Sequence, residues 1–173
     1  MEKKKKYTVS IYAENNIGLL NRISSIFLKR HISIDSVNSS PSEINDIYRF
    51  VIVVTVHELL IKKVITQIEK QIEVIAAFYH TDQETIFLET ALYKVKSKSL
   101  FEERHIQNII KNSHAKIVTV SPDFFVIEKT GFREETEKLY NDLAPYGLLQ
   151  FVRSGRIAVT KEPLKISEIL KKN

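Results

Sequence analysis

The segment Ala13-Glu14-Asn15-Asn16-Ile17-Gly18-Leu19-Leu20-Asn21-Arg22 carries the residue types best suited to holding a small molecule. It lies where an alternating pattern gives way to a helical one. The first amides of a helix lack internal partners and carry partial positive charge, so a carboxylate can settle on them. Gly18 lets a ligand approach the backbone closely. The side-chain carbonyl of Asn15 or Asn16 can accept from an ammonium group. Ile17, Leu19 and Leu20 offer an aliphatic wall. Together these parts suit a free, small, apolar amino acid. Taken alone, the loop is explained more simply as a helix N-cap, because asparagine is a favoured cap and glycine is common in turns.

No catalytic constellation competes with this loop. His31, His57, His80, His105 and His114 form no H-E-x-x-H pattern, since Ile61 stands where the second histidine after His57-Glu58 would be. A zinc site is therefore not expected. No G-x-S-x-G elbow, phosphate loop or G-x-G-x-x-G occurs. Glu102 and Glu103 near a helix start read as charges that complement the helix dipole. The strand Asp46-Ile47-Tyr48-Arg49-Phe50-Val51-Ile52-Val53 stands where RNA-recognition modules have their base-stacking strand. It lacks their glycines and is apolar on both faces, so burial fits it better than nucleic acid.

The elements that position the loop follow from periodicity. Tyr7 to Ala13 alternates, with Val9, Ile11 and Ala13 on one side, and reads as a half-buried strand. Leu20, Ile23 and Phe27, flanked by Leu19 and Ile26, mark an amphipathic helix that should stop near Arg30-His31. Ile32 to Ser39 alternates again, and Ser40-Pro41-Ser42 with Asn45-Asp46 is turn chemistry. Ile47 to Val56 is a β-branched central strand. Ile61, Val64, Ile65, Ile68 and Ile72 mark a second helix, and Val74 to His80 a strand. The polar stretch Thr81-Asp82-Gln83-Glu84 is the expected boundary between domains 1–81 and 82–173.

The second half repeats that order: a strand at 86–95, a helix marked by Phe101, Ile106, Ile109 and Ile110, and strands at 115–120 and 124–128. A helix at 132–143 carries Thr136, Leu139, Tyr140 and Leu143 on one face. Strands follow at 148–152 and 157–160, and helical turns at 164–170. The fold class is α+β, two tandem ferredoxin-like βαββαβ domains. Open sheet faces and edges in such domains need covering, which an edge-to-edge dimer would supply.

Composition is permissive and selective at once. The chain has 173 residues, 43% hydrophobic and 27% charged, enough for a packed core. There is no cysteine, which excludes disulfides and fits a reducing, cytoplasmic setting. No apolar run reaches the roughly 18 residues of a membrane span, and no secretion signal is expected. The net charge of +5 is concentrated partly at Lys3 to Lys6 and at Lys171 and Lys172, which reads as solubilising ends.

The chain resembles a known family, the small regulatory subunit of acetolactate synthase (acetohydroxyacid synthase), whose first half is an ACT domain. The resemblance rests on Val9 to Ile23, on Phe27, Arg30 and Ile34-Asp35-Ser36, and on Gln67-Ile68-Glu69-Lys70-Gln71. It continues through Leu92-Tyr93-Lys94-Val95, Ala115-Lys116-Ile117-Val118 and Glu128-Lys129-Thr130-Gly131. Its most specific motif is Arg153-Ser154-Gly155-Arg156-Ile157-Ala158-Val159.

The resemblance implies a non-catalytic subunit that activates a large catalytic partner and makes it sensitive to valine or another branched-chain amino acid. Thiamine diphosphate, magnesium and FAD are expected only in that partner, with no cofactor or metal in this chain. The resemblance also implies a homodimer through the ACT domains. There, Asn15, Asn16, Ile17, Gly18, Leu19 and Leu20 supply one side of the effector site. The start of the second strand of the other copy, at Ser33 and Ile34, supplies the other. The family often has asparagine where this chain has the shorter Ser33, which leaves the identity of the effector open. Arg153 and Arg156 are candidates for contact with the catalytic partner or for ordering the C-terminal domain. A stand-alone amino-acid sensor of ACT type is the alternative.

Overall fold

The computed structural model describes residues 3–98, 104–163 and 166–169. The expectations for Phe101, Glu102, Glu103, Lys171 and Lys172, and for the ends of the 164–170 segment, lie outside the described residues. By their contacts, the described residues up to 87 and from 156 onward form one compact unit, and those within 88–155 another. The units are therefore cut differently from the expected chain division at 81/82, because the last segment returns to the first unit.

In the first unit, β1 (Lys5–Glu14), β2 (Ile34–Pro41), β3 (Ile47–Val56) and β4 (Val74–Thr81) form an antiparallel sheet of order β2-β3-β1-β4. Helices α1 (Leu19–Leu28) and α2 (Glu58–Ile68) cover one face. Leu19, Ile23, Ile26 and Phe27 recur at helical spacing and are buried, as are Ile61, Val64, Ile65 and Ile68. They pack on Val9, Ile11, Ile52 and Val54 in one core. Two expectations change. The buried stripe of α1 begins at Leu19, and Leu20 is 40% exposed. Ile72 lies beyond the end of α2 and is 98% exposed. Periodicity alone cannot tell which of two adjacent apolar residues faces inward, nor where a helix frays.

The half-buried reading of β1 is also corrected. Val9, Ile11 and Ala13 face the helices, but Thr8 and Tyr12 on the opposite side are buried too. That face is covered by the end of the chain. Arg156 donates to Thr8, and Arg49 of β3 donates to the carbonyl of Ala158.

In the second unit the same order recurs. The strands β5 (Thr85–Lys96, which starts in the first unit), β6 (Lys116–Val120), β7 (Phe124–Gly131) and β8 (Leu148–Arg153) form a sheet of order β6-β7-β5-β8. Helices α3 (Arg104–Asn112) and α4 (Arg133–Leu143) contribute Ile106, Ile110, Leu139 and Leu143 to a core with Tyr93, Phe125 and Ile127. The buried Tyr93 hydroxyl donates to the Thr136 carbonyl at 2.7 Å. After β8 come β9 (Ile157–Thr160), which pairs with β5, and the short α5 (Ile166–Ile169).

Both units close their first helix with the same device. His31 and His114 each adopt φ +55°. The His31 amide donates to Leu28 and the Ile32 amide to Phe27; the His114 amide donates to Lys111 and the Ala115 amide to Ile110. These paired bonds are the Schellman helix stop, usually built on glycine. The helix end expected at Arg30-His31 is thus set by a left-handed residue rather than by charge alone.

Candidate functional site

The loop after β1 is held at both ends. The Glu14 amide donates to the Glu73 carbonyl at 3.0 Å, and the Leu19 amide to the Asn16 carbonyl at 3.2 Å. Gly18 occupies the N-cap of α1 at φ +84° and ψ −4°, and no side chain caps the helix. This corrects the asparagine-cap expectation. Neither Asn15 nor Asn16 sits at the cap, so the start of the helix keeps its positive end without a side-chain acceptor. A Cβ on Gly18 would meet nothing within 4 Å, so the glycine is required for its left-handed backbone and leaves open space above it. Arg22, one turn into α1, pairs with Glu73 and ties the helix start to the approach of β4. Spacing gave no sign of that pair, which joins residues 51 positions apart.

The apolar wall is divided. Leu19 is part of the core, whereas Ile17 is fully exposed and Leu20 partly so. Ser33 is exposed and Ile34 packs against the edge of the core. Asn15 to Leu20 form one continuous patch, but Ser33 and Ile34 lie elsewhere. Ile34 is level with Val54 of β3, which is level with Tyr7 of β1; the loop leaves β1 after Glu14, level with Ile47. Seven strand steps separate the two levels, or about 23 Å at ~3.3 Å per residue. Within one chain, the two halves of the expected site stand at opposite ends of the sheet.

The second motif is structural in its visible contacts. Arg153 donates to Glu137 at 2.6 Å, lies 3.7 Å from Glu89 and stacks over Phe151. Ser154 returns both a backbone bond to Thr90 and a hydroxyl acceptor to the Thr90 amide. Arg156 is only 4% exposed and binds Asp82 and Thr8 above the Phe87 ring. Gly131, in the Glu128-Lys129-Thr130-Gly131 motif, leaves room for the Glu135 carboxylate to accept from the Phe132 amide at 2.7 Å. A Cβ there would stand 2.5 Å from that carboxylate.

Among the described residues, no group of three histidine, aspartate or glutamate side chains is placed to hold a metal. No helix among them is long and apolar enough to cross a membrane.

Residues 7–73 match the ACT domain model, and residues 88–162 match the model described as the small subunit of acetolactate synthase. The acetolactate synthase small subunit of Mycolicibacterium smegmatis is 32% identical over 157 residues, covering 91% of this chain and 92% of that protein. That of Bacillus subtilis is 33% identical over 157 residues, covering 90% and 91%. The crystal structure of the acetolactate synthase small subunit from Thermotoga maritima has a TM-score of 0.82 at 25% identity, covering 92% of this chain and 99% of that one. With both family models matched in order and both relatives aligned along nearly the whole length, this chain belongs to the acetolactate synthase small-subunit family, its first domain an ACT domain.

Proposed function

We propose that this chain is the regulatory subunit of a cytoplasmic acetolactate synthase. It activates a large thiamine-diphosphate-dependent catalytic subunit and confers feedback inhibition by valine or another branched-chain amino acid. Membership of the small-subunit family supports a regulatory role and a catalytic partner. The cofactors of the reaction belong to that partner in this reading.

The observation that carries the effector site is the separation of its two halves. The uncapped α1 start at Gly18 and the Ser33-Ile34 segment cannot meet within one chain. A second copy, pairing antiparallel along the β2 edge, brings them together. Its Ile34 would then stand level with Pro41 of the first copy, which is level with Tyr48 and so with Ala13, next to the loop. The effector carboxylate would take first-turn amides of α1 beyond Leu19, whose own amide is held by the Asn16 carbonyl, and its ammonium group Asn15 or Asn16. Ligand bound between two copies favours one dimer arrangement, and that preference is what reaches the catalytic partner.

The test is reconstitution. Purified chain added to the catalytic subunit should raise acetolactate formation, and valine should lower it again. Gly18→Asp puts a carboxylate where the effector's own would sit, so activation should persist and valine inhibition disappear. Intact inhibition in Gly18→Asp would show that the site is misplaced. Failure of the chain to co-purify with the catalytic subunit would favour a stand-alone sensor.

A further inference from the structure

The first sheet has a second, partly covered surface, on the face away from α1 and α2. The register puts Ser10 and Tyr12 of β1, Arg49 of β3, and Phe78 and His80 of β4 on that face. The end of the chain roofs it. Arg49 holds the Ala158 carbonyl, Arg156 holds Thr8 and Asp82, and the Lys161 amide and ammonium reach the Glu84 and Gln83 carbonyls at 2.9 and 2.7 Å. Roof and sheet do not meet everywhere. They leave a cavity of about 300 Å³, roughly the space ten waters take in the liquid. That is room for one amino acid and a few waters, at the small end of ligand sites.

The walls of the cavity have a mixed character. Tyr12 and Phe78, edge to face at 6.4 Å, supply an aromatic side. Arg49 and His80 supply basic groups, and Glu43 and Glu162 supply carboxylates at exposed positions. A simple anion would meet both glutamates, and a simple cation would meet the guanidinium. An apolar molecule would use the aromatic side but neither the basic nor the acidic groups. A zwitterion with an apolar side chain satisfies both signs and the aromatic wall at once.

We infer that this cavity is a second amino-acid site. The ligand's carboxylate faces Arg49 and His80, its ammonium faces Glu43 and Glu162, and its side chain lies along Tyr12 and Phe78. It shares no residue with the Asn15 to Leu20 loop and goes beyond the feedback site proposed above. Because Ala158 and Glu162 belong to the roof, occupancy fastens residues 157–162 to the sheet.

Equilibrium dialysis of the full chain with leucine, valine, methionine and phenylalanine tests this, alongside Gly18→Asp and a Glu43→Gln/Glu162→Gln double variant. Both glutamates are exposed, so the double variant should keep the parent melting temperature. At least one of the four amino acids should bind to Gly18→Asp at one equivalent per chain and slow hydrogen exchange at residues 157–162. The double variant should weaken that binding at least tenfold. For leucine, 4-methylpentanoate and 3-methylbutylamine, which lack one charge each, should bind at least tenfold more weakly than the parent amino acid. If Gly18→Asp binds none of the four, the cavity site is overturned while the feedback site stands. If the double variant binds as the parent does, or if either singly charged analogue competes equally, the zwitterion site is likewise overturned.

Discussion

Arg156 Nη1 donates to Asp82 Oδ1 at 2.5 Å, a bond that joins residues 74 positions apart and fixes the returning end of the chain to the first unit. The same nitrogen reaches Thr8 Oγ1 at 2.9 Å, and the guanidinium lies 3.6 Å above the Phe87 ring. The arginine is buried, whereas the Asp82 side chain keeps 41% of its exposure, so solvent screens one half of the pair.

Arg156→Met keeps the stem over Phe87 and removes both hydrogen bonds. It should cost about 2 kcal/mol, below the range for a fully buried pair because Asp82 is wet. Asp82→Asn should cost about 1 kcal/mol or less. Urea unfolding of the full chain measures both. A cost under ~0.5 kcal/mol for Arg156→Met would mean that the bond does not hold the segment.

Gly18→Ala separates backbone strain from ligand chemistry at the loop. A Cβ meets no neighbour there, so the penalty comes only from φ +84° and should be about 1 kcal/mol. Gly18→Asn should cost less, since asparagine tolerates the left-handed region. Thermal melts of the three proteins should therefore rank glycine, asparagine, alanine from most to least stable. A steric clash in place of strain would reverse the last two.

His31→Gly and His114→Gly should each stabilise the protein. Both histidines hold the left-handed position of a helix stop, at φ +55°, where glycine has no Cβ penalty. The gain should be about 0.5–1 kcal/mol per site, less the extra chain entropy of glycine, or a few degrees in melting temperature. Because the two sites are in separate units, their effects should add. A fall in stability would show that the imidazoles make contacts worth more than the strain.

Tyr93 gives an alkaline signature. Burial pushes its hydroxyl up to about 12 from the ordinary 10.0, and the hydroxyl donates to the Thr136 carbonyl. The folded state keeps this proton between pH 10 and 12 while the unfolded chain loses it. Its contribution is therefore complete below pH 10 and is lost as pH rises toward 12. Tyr93→Phe should cost about 1 kcal/mol near pH 7 through the lost hydrogen bond. Its deficit should shrink above pH 10, where the parent weakens and the variant has no such group to ionise. Parallel curves from pH 8 to 11.5 in denaturant titrations would rule this out.

The sequence by itself determined both βαββαβ units, most of their buried stripes and the position of the loop. Periods of 2 and 3.6 are imposed residue by residue by strand and helix geometry, so Ile11 and Ile61 declare their faces locally. It also put Gly18 at the turn where the left-handed backbone is needed. What only the tertiary structure decided depends on partners far away in the chain. Thr8 and Tyr12 looked outward until residues 156–162 covered them, and the local pattern did not show that Asp82 and Thr8 enclose Arg156. Ser33 and Gly18 are close in sequence, yet the ladder sets them at opposite ends of the sheet. Strand register and the return of residues 156–163 fix these placements. Both are settled by packing between distant segments, which no local pattern encodes.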